Sequence, residues 1–184
     1  VELYQKALEL ADADRNPVLS TVISAVGSTP QKAGSVALLD SEGNLWGTLG
    51  GGMVEADGLE RMRRSRAEGI PALHEFRLDE DYSRTAGPIC GGIMRFFTHP
   101  GIQEQRPAVE AAIEASRSGM RGLLITHVSG SRNGEVEWIA ESEVAAHTSF
   151  PKGDVLSEIL TRAIPSVIGE NDDDPSGVTA ISPF

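Results

Sequence analysis

Residues 45–56 read Leu-Trp-Gly-Thr-Leu-Gly-Gly-Gly-Met-Val-Glu-Ala. An apolar, strand-like run enters three consecutive glycines and a helix-like run leaves them. Glycine backbone reaches conformations closed to other residues, and it lets N–H groups at a helix start converge on an anion with no side chain in the way. The stretch predicts a strand–turn–helix unit with an anion seat at the turn. Gly47-Thr48-Leu49-Gly50-Gly51-Gly52 has neither the Lys-Ser/Thr of a Walker loop nor the Gly-x-Gly-x-x-Gly spacing. Taken alone it allows a ligand or a tight packing turn.

Outward from this unit, Val36–Leu39 and Asn44–Leu49 read as two strands joined through Ser41-Glu42-Gly43, a hairpin-type connection. Val18–Val26 is rich in β-branched residues and closes on Ser28-Thr29-Pro30, a strand composition followed by a turn. Leu3, Ala7, Leu10 and Ala11 recur at helical spacing over residues 2–14. Met53–Glu68 reads as a helix stopped by Gly69, although Gly58 interrupts its apolar stripe. Further strands are expected at 72–78, 93–98, 121–129 and 135–140, with helices at 106–117 and 154–163, the last with Asp154 as a cap. The expectation is an α/β fold: a mixed sheet flanked by helices in a single domain over 1–168, with a linker-like tail over 169–184.

Two more loops stand at strand ends. Gly27-Ser28-Thr29-Pro30-Gln31-Lys32-Ala33-Gly34 offers hydroxyls and a cation beside glycines, in a composition that also suits an ordinary turn. Gly87-Pro88-Ile89-Cys90-Gly91-Gly92 presents a thiol where backbone can approach closely, which suits a soft metal or sulfur chemistry. A lone Cys also serves as a small buried hydrophobe. Loops at strand ends are where α/β sheets gather ligands.

Composition narrows the function classes. The net charge is −11, with four of the acidic charges at Glu170, Asp172, Asp173 and Asp174. An acidic chain argues against general nucleic-acid binding, which needs a basic surface to displace counterions. No run approaches the roughly 18 apolar residues of a membrane span. The single cysteine and the absence of an apolar leader predict a cytoplasmic location. His74, His99, His127 and His147 show no metal-ligand spacing, so a metal held by protein side chains alone is not expected. Arg61, Arg63, Arg64 and Arg66 crowd one helix end, as a solvated terminus or an acidic-partner patch. Glu55 and Asp57 flank the triple glycine, where the helix dipole favours carboxylates with or without catalysis.

Three ordered motifs, Gly27-Ser28-Thr29-Pro30 with Gly34, Gly47 to Gly52 with Glu55, and Cys90-Gly91-Gly92, together resemble the XdhC/CoxI family over residues 1–100. Its members are accessory factors for xanthine dehydrogenase and related molybdenum hydroxylases. The resemblance implies a maturation chaperone that binds the molybdenum cofactor (molybdopterin), supports its sulfuration with a cysteine desulfurase, and passes it to the apo-hydroxylase. The cofactor would be carried rather than permanently bound. Implied cofactor-binding residues are Ser28, Thr29, Thr48, Gly50, Gly51, Gly52, Glu55, Cys90, Gly91 and Gly92, with Cys90 near the molybdenum or handling sulfur. Family members often carry arginine after Ser-Thr-Pro and cysteine after the triple glycine, where this chain has Gln31 and Met53. That shifts the weight to Cys90. The family's usual C-terminal Rossmann-like domain has no fingerprint here, which suggests a one-domain member or a fragment.

The expected role is an accessory protein rather than a stand-alone enzyme, with a homodimer among its assemblies. The alternatives are a small oxidoreductase or hydrolase with Glu55 or Asp57 as general base, and an adaptor that binds no ligand.

Overall fold

The computed structural model describes residues 1–78, 91–146, 153–162, 165–168 and 179–184. In chain order the elements are α1 (Glu2–Asp12), β1 (Val18–Gly27), β2 (Val36–Leu39), β3 (Leu45–Gly47), α2 (Gly52–Glu68), β4 (Ala72–Arg77), β5 (Gly92–His99) and α3 (Arg106–Arg117). They continue with β6 (Gly122–His127), β7 (Val136–Ala140), α4 (Glu141–Val144), α5 (Gly153–Arg162), β8 (Ser166–Ile168) and β9 (Thr179–Pro183).

The α/β class with flanking helices holds, and the strands divide into two sheets, in the orders β3-β2-β1-β5-β4 and β7-β6-β9-β8. All pairings among the described residues are antiparallel. Short connections such as that between β2 and β3 allow hairpins but are too short for a parallel crossover.

Apolar patterning explains the layering. One face of the first sheet buries Val22, Leu39 and Met94 against Val54 and Met62 of α2. Across the sheet, Leu19 and Leu38 pack with Ala7, Leu8 and Leu10 of α1 and Val109 and Ile113 of α3. Ile23 and Phe97 meet Ala180 of the second sheet, whose other face packs Leu123, Ile125 and Ile181 on Leu156 and Ile159 of α5. β1 is therefore covered on both sides, and its first six residues are buried or half-buried whichever face they point to. β4 alternates between inward and exposed residues, as a strand at a sheet edge does.

Residues 169–184, expected as a linker-like tail, include β9, which lies between β6 and β8. The β-branched Thr179 and Ile181 are buried there, so the acidic composition just upstream does not extend into the strand.

The hairpin joining β2 to β3 is fastened at Asp40. Its fully buried carboxylate accepts the N–H groups of Glu42 (3.0 Å) and Asn44 (2.8 Å) and the Asn44 side-chain amide (3.0 Å), and it pairs with Arg15. Burial alone would raise its pKa, but the Asn44 bonds, Arg15 and the Glu42 amide outweigh burial and hold it below the usual carboxylate range.

Candidate ligand-binding rim

The three glycine loops are held together by contacts that leave no room for a side chain. Gly27 and Gly92 are register partners where β1 and β5 end. A Cβ on Gly27 would stand 2.6 Å from the Gly91 carbonyl oxygen, and one on Gly92 would stand 2.5 Å from that of Ser28. The first loop thus lies backbone to backbone on Gly91 and Gly92, the described end of the third. It also meets the second, because a Cβ on Gly50 would fall 2.6 Å from Pro30 Cγ.

At Gly51 and Gly52 the surroundings change. Both have positive φ, +73° and +55°, yet a Cβ at either would meet nothing within 4 Å among the described residues. They begin the 17-residue α2, whose start has no side-chain cap. The first N–H groups of a helix lack intrahelical partners and carry its positive dipole end. Open space, uncapped donors and a favourable dipole coincide here.

The loop's polar side chains hold the loop itself. Thr48 Oγ1 donates to Glu55 Oε2 at 2.5 Å, and the Leu49 N–H donates to the same oxygen at 3.2 Å. The Gly50 N–H donates to Thr48 Oγ1 at 3.0 Å, so of the three glycine amides that of Gly50 is already engaged within the loop. Glu55 is placed as the loop's internal acceptor. Thr29 Oγ1 donates to the Gln31 carbonyl at 2.8 Å, while Ser28 and Lys32 are exposed on the same loop. Cys90, the rest of the 79–90 segment, His147, Glu170 and Asp172 to Asp174 lie outside the described residues. Gly91 is exposed, and Gly92 is buried.

Two residues absent from the expected site shape it. Pro30 props Gly50, and Gly58 admits Leu49, since a Cβ on Gly58 would stand 2.4 Å from Leu49 Cδ1. The Gly58 signal was present in the sequence as a glycine inside a helical pattern, which commonly marks close packing.

The arginines of α2 are engaged. Arg61 donates to Asp57 (3.0 Å) and His74 Nδ1 (3.3 Å) and lies over Phe76. Arg64 bonds Glu68, and Arg66 bonds the Asp40 carbonyl. His74 Nε2 is buried without a hydrogen-bond partner, and burial followed by the Arg61 charge lowers this ring to a pKa of about 4, against a smaller upward pull from Asp57. His99 donates from Nε2 to the Gly134 carbonyl (2.6 Å) and accepts the Gly101 N–H at Nδ1 (3.1 Å). His127 ties Glu137 (3.1 Å) to Thr179 (3.2 Å) across three strands. Each described histidine therefore has a local structural role. Among the described residues no three His, Cys, Asp or Glu gather as a metal site, and no helix is long and apolar enough to cross a membrane.

A partly open cavity of about 40 Å³ lies between the sheets, against Thr21, Phe97, His99 and Ala180. It has room for a few waters and not for a cofactor.

Comparison with known proteins bears on this rim directly. Residues 10–77 match the model of the XdhC and CoxI family. That part of the chain is similar to the XdhC and CoxI family. The XdhC/CoxI match contains the first two glycine loops whole. Among relatives, a Bacillus subtilis (strain 168) protein described as a probable subunit of xanthine dehydrogenase is 30% identical over 124 residues, 66% of this chain and 38% of that protein. The uncharacterized protein YqeB of Escherichia coli (strain K12) is 28% identical over 97 residues, 53% of this chain and 18% of that protein. A crystal structure of a xanthine dehydrogenase from Bacillus halodurans, 20% identical, superposes on 98% of this chain and 52% of that one with a TM-score of 0.66. At that identity the likeness is one of fold. The chain spans about half the length of that solved structure, and less of the two relatives.

Proposed function

We propose that this XdhC/CoxI-like chain carries the molybdenum cofactor during maturation of a xanthine dehydrogenase-type hydroxylase. The observation that carries the reading is the coincidence of an uncapped helix start at Gly51 and Gly52, where a side chain would meet no described residue, with close contacts among the glycine loops at Gly27, Gly50 and Gly92. The family match over both loops and the xanthine dehydrogenase name of the Bacillus subtilis relative support it.

In this reading Gly51 and Gly52 hold the molybdopterin phosphate through their backbone, while Ser28 and Thr29 border the pterin. Glu55 and Thr48 keep the loop in the receiving shape. Cys90 precedes Gly91 and is assigned to the neighbourhood of the metal or to sulfur handling. The cofactor supplies molybdenum redox chemistry to the hydroxylase that finally receives it. Bound here, it is held and shielded while a cysteine desulfurase provides sulfur, in the cytoplasm. Glu55, bonded to Thr48 and the Leu49 amide, is assigned to loop support rather than to proton abstraction.

Anaerobic gel filtration of the purified chain with molybdopterin released from a hydroxylase tests the reading through co-eluting molybdenum and pterin. Near-stoichiometric retention is expected, with at least a tenfold loss in Gly51→Val, whose side chain would fill the open seat. Absence of retention by the wild type overturns the proposal. A Cys90→Ala chain that matures its hydroxylase as well as the wild type removes the role given to that thiol.

A further inference from the structure

Among the described residues β4 is the longest strand at a sheet edge, and its register carries information. β4 pairs with β5 through Ala72↔Thr98, His74↔Phe96 and Phe76↔Met94, and the Leu78 N–H donates to the Gly92 carbonyl at 2.9 Å. In an antiparallel ladder, residues that bond one neighbour alternate with residues whose N–H and C=O point the other way. Leu73, Glu75 and Arg77 therefore direct their main-chain groups outward, where no strand pairs with them among the described residues. α2 lies chiefly against β1 and β5, and its Arg61 reaches the side chains of His74 and Phe76 in β4.

Exposed edges are commonly blunted by charge, because like charges on two approaching copies repel. β4 does not follow that pattern. Its outward residues carry opposite signs two positions apart, Glu75 and Arg77, and Leu73 adds an exposed apolar side chain, 39% accessible. Within one copy Glu75 already accepts from Arg77 (3.0 Å) and Arg95 (2.9 Å), so a second copy would join an existing ion-pair cluster. Two antiparallel copies can align odd-numbered residues with odd-numbered residues in more than one register. With Glu75 opposite Glu75 of the second copy, like charges face each other. A shift of the second copy by two residues puts Glu75 opposite Arg77 and Arg77 opposite Glu75, with Phe76 on the two-fold axis. In this second register both outward hydrogen-bonding pairs are also opposite-charge pairs, a favourable cross-strand combination. The same surface serves both copies, as a two-fold interface requires.

We infer that β4 is a self-complementary edge through which two copies of this chain join their five-stranded sheets, in the register Glu75↔Arg77, Phe76↔Phe76 and Arg77↔Glu75. The inference does not depend on the proposed cofactor. β4 and β3, the strand that leads into Gly51 and Gly52, lie at opposite edges of the five-stranded sheet, so the two readings fail separately.

Light scattering coupled to gel filtration is expected to give about twice the 19.6 kDa chain mass. Arg77→Glu and Glu75→Lys each place two like-charge pairs across the interface, and each alone is expected to weaken the dimer roughly tenfold or more. Mixed together, the two variants form complementary pairs, and native mass spectrometry should show the heterodimer in excess of either homodimer. Circular dichroism of each variant identifies any that fails to fold, and Leu73→Pro, which removes one outward N–H while leaving the β5 ladder intact, then provides an independent disruption. A wild type that stays monomeric overturns the inference. So does a dimer that tolerates Arg77→Glu, or a mixture that shows no preference for the heterodimer.

Discussion

Leu49 and Gly58 are fitted to each other: Leu49 is fully buried, and the position of a Cβ on Gly58 lies 2.4 Å from its Cδ1. The loop before α2 and the second turn of that helix thus share one packing contact, and the shape of the rim depends on a residue beyond the triple glycine. Gly58→Ala should destabilise the fold by about 1–3 kcal/mol through overpacking, despite the roughly 1 kcal/mol that alanine brings to a helix interior. Urea unfolding measures it. In Leu49→Ala/Gly58→Ala the two effects should sum to less than their separate values, because the smaller side chain makes room for the new methyl. A Gly58→Ala chain more stable than wild type would show that Leu49 moves aside freely.

Gly27 and Gly43 separate close approach from backbone strain. Both have positive φ, +78° and +89°, but a Cβ on Gly43 meets nothing within 4 Å while one on Gly27 meets the Gly91 carbonyl at 2.6 Å. Gly43→Ala should cost about 1 kcal/mol from conformation alone. Gly27→Ala should cost at least about 1 kcal/mol more, because the new methyl must displace backbone, with amide shifts at Gly91 and Gly92 in NMR spectra. Equal costs for the two substitutions would argue against the tight junction of the first and third loops.

Glu55 acts as acceptor for Thr48 and the Leu49 amide. Glu55→Gln keeps an acceptor oxygen and should lose about 1 kcal/mol or less, whereas Glu55→Ala leaves both donors without it and should lose about 1–3 kcal/mol. Amide exchange at Leu49 and Gly50 should speed up in the alanine variant and change little in the glutamine variant. Unchanged exchange in Glu55→Ala would remove the support role.

His74 should give the fold a pH dependence of definite sign. Its pKa is about 4 in the fold against 6.5 as the ordinary value, so the unfolded chain binds this proton more readily. Its contribution is fully present above pH 6.5, declines as the pH falls towards about 4, and then levels off. The slope from one proton is at most about 1.4 kcal/mol per pH unit, and solvent screening of this half-buried ring reduces it. His74→Phe should flatten the stability profile between pH 6.5 and about 4. An identical profile in that variant would mean that other groups produce the dependence.

Local patterns were the legible part of the fold. α3 begins and ends at Arg106 and Arg117 as its spacing predicts, and α2 runs from Gly52 to the stop at Gly69. Short-range periodicity and turn chemistry act over a few residues, so they can be read from them. Burial in α4 and β9 comes from partners far along the chain. β9 is placed by β6, with Thr179 set against His127, and nothing in the acidic segment upstream announces that pairing. The two-sheet division was hidden for the same reason.

By itself the sequence determined the strand–turn–helix at the triple glycine, the set of three glycine loops and their family resemblance. Those features reside in residue identity and local spacing. Only the tertiary structure decided that Gly27 closes on Gly91, that Gly50 rests on Pro30, that the Gly50 donor is taken by Thr48, and that a side chain at Gly51 or Gly52 would meet nothing among the described residues. A glycine's freedom is visible in sequence, but whether it serves to admit a neighbouring backbone or a ligand depends on what stands within a few ångströms of its missing side chain. That is fixed by long-range packing.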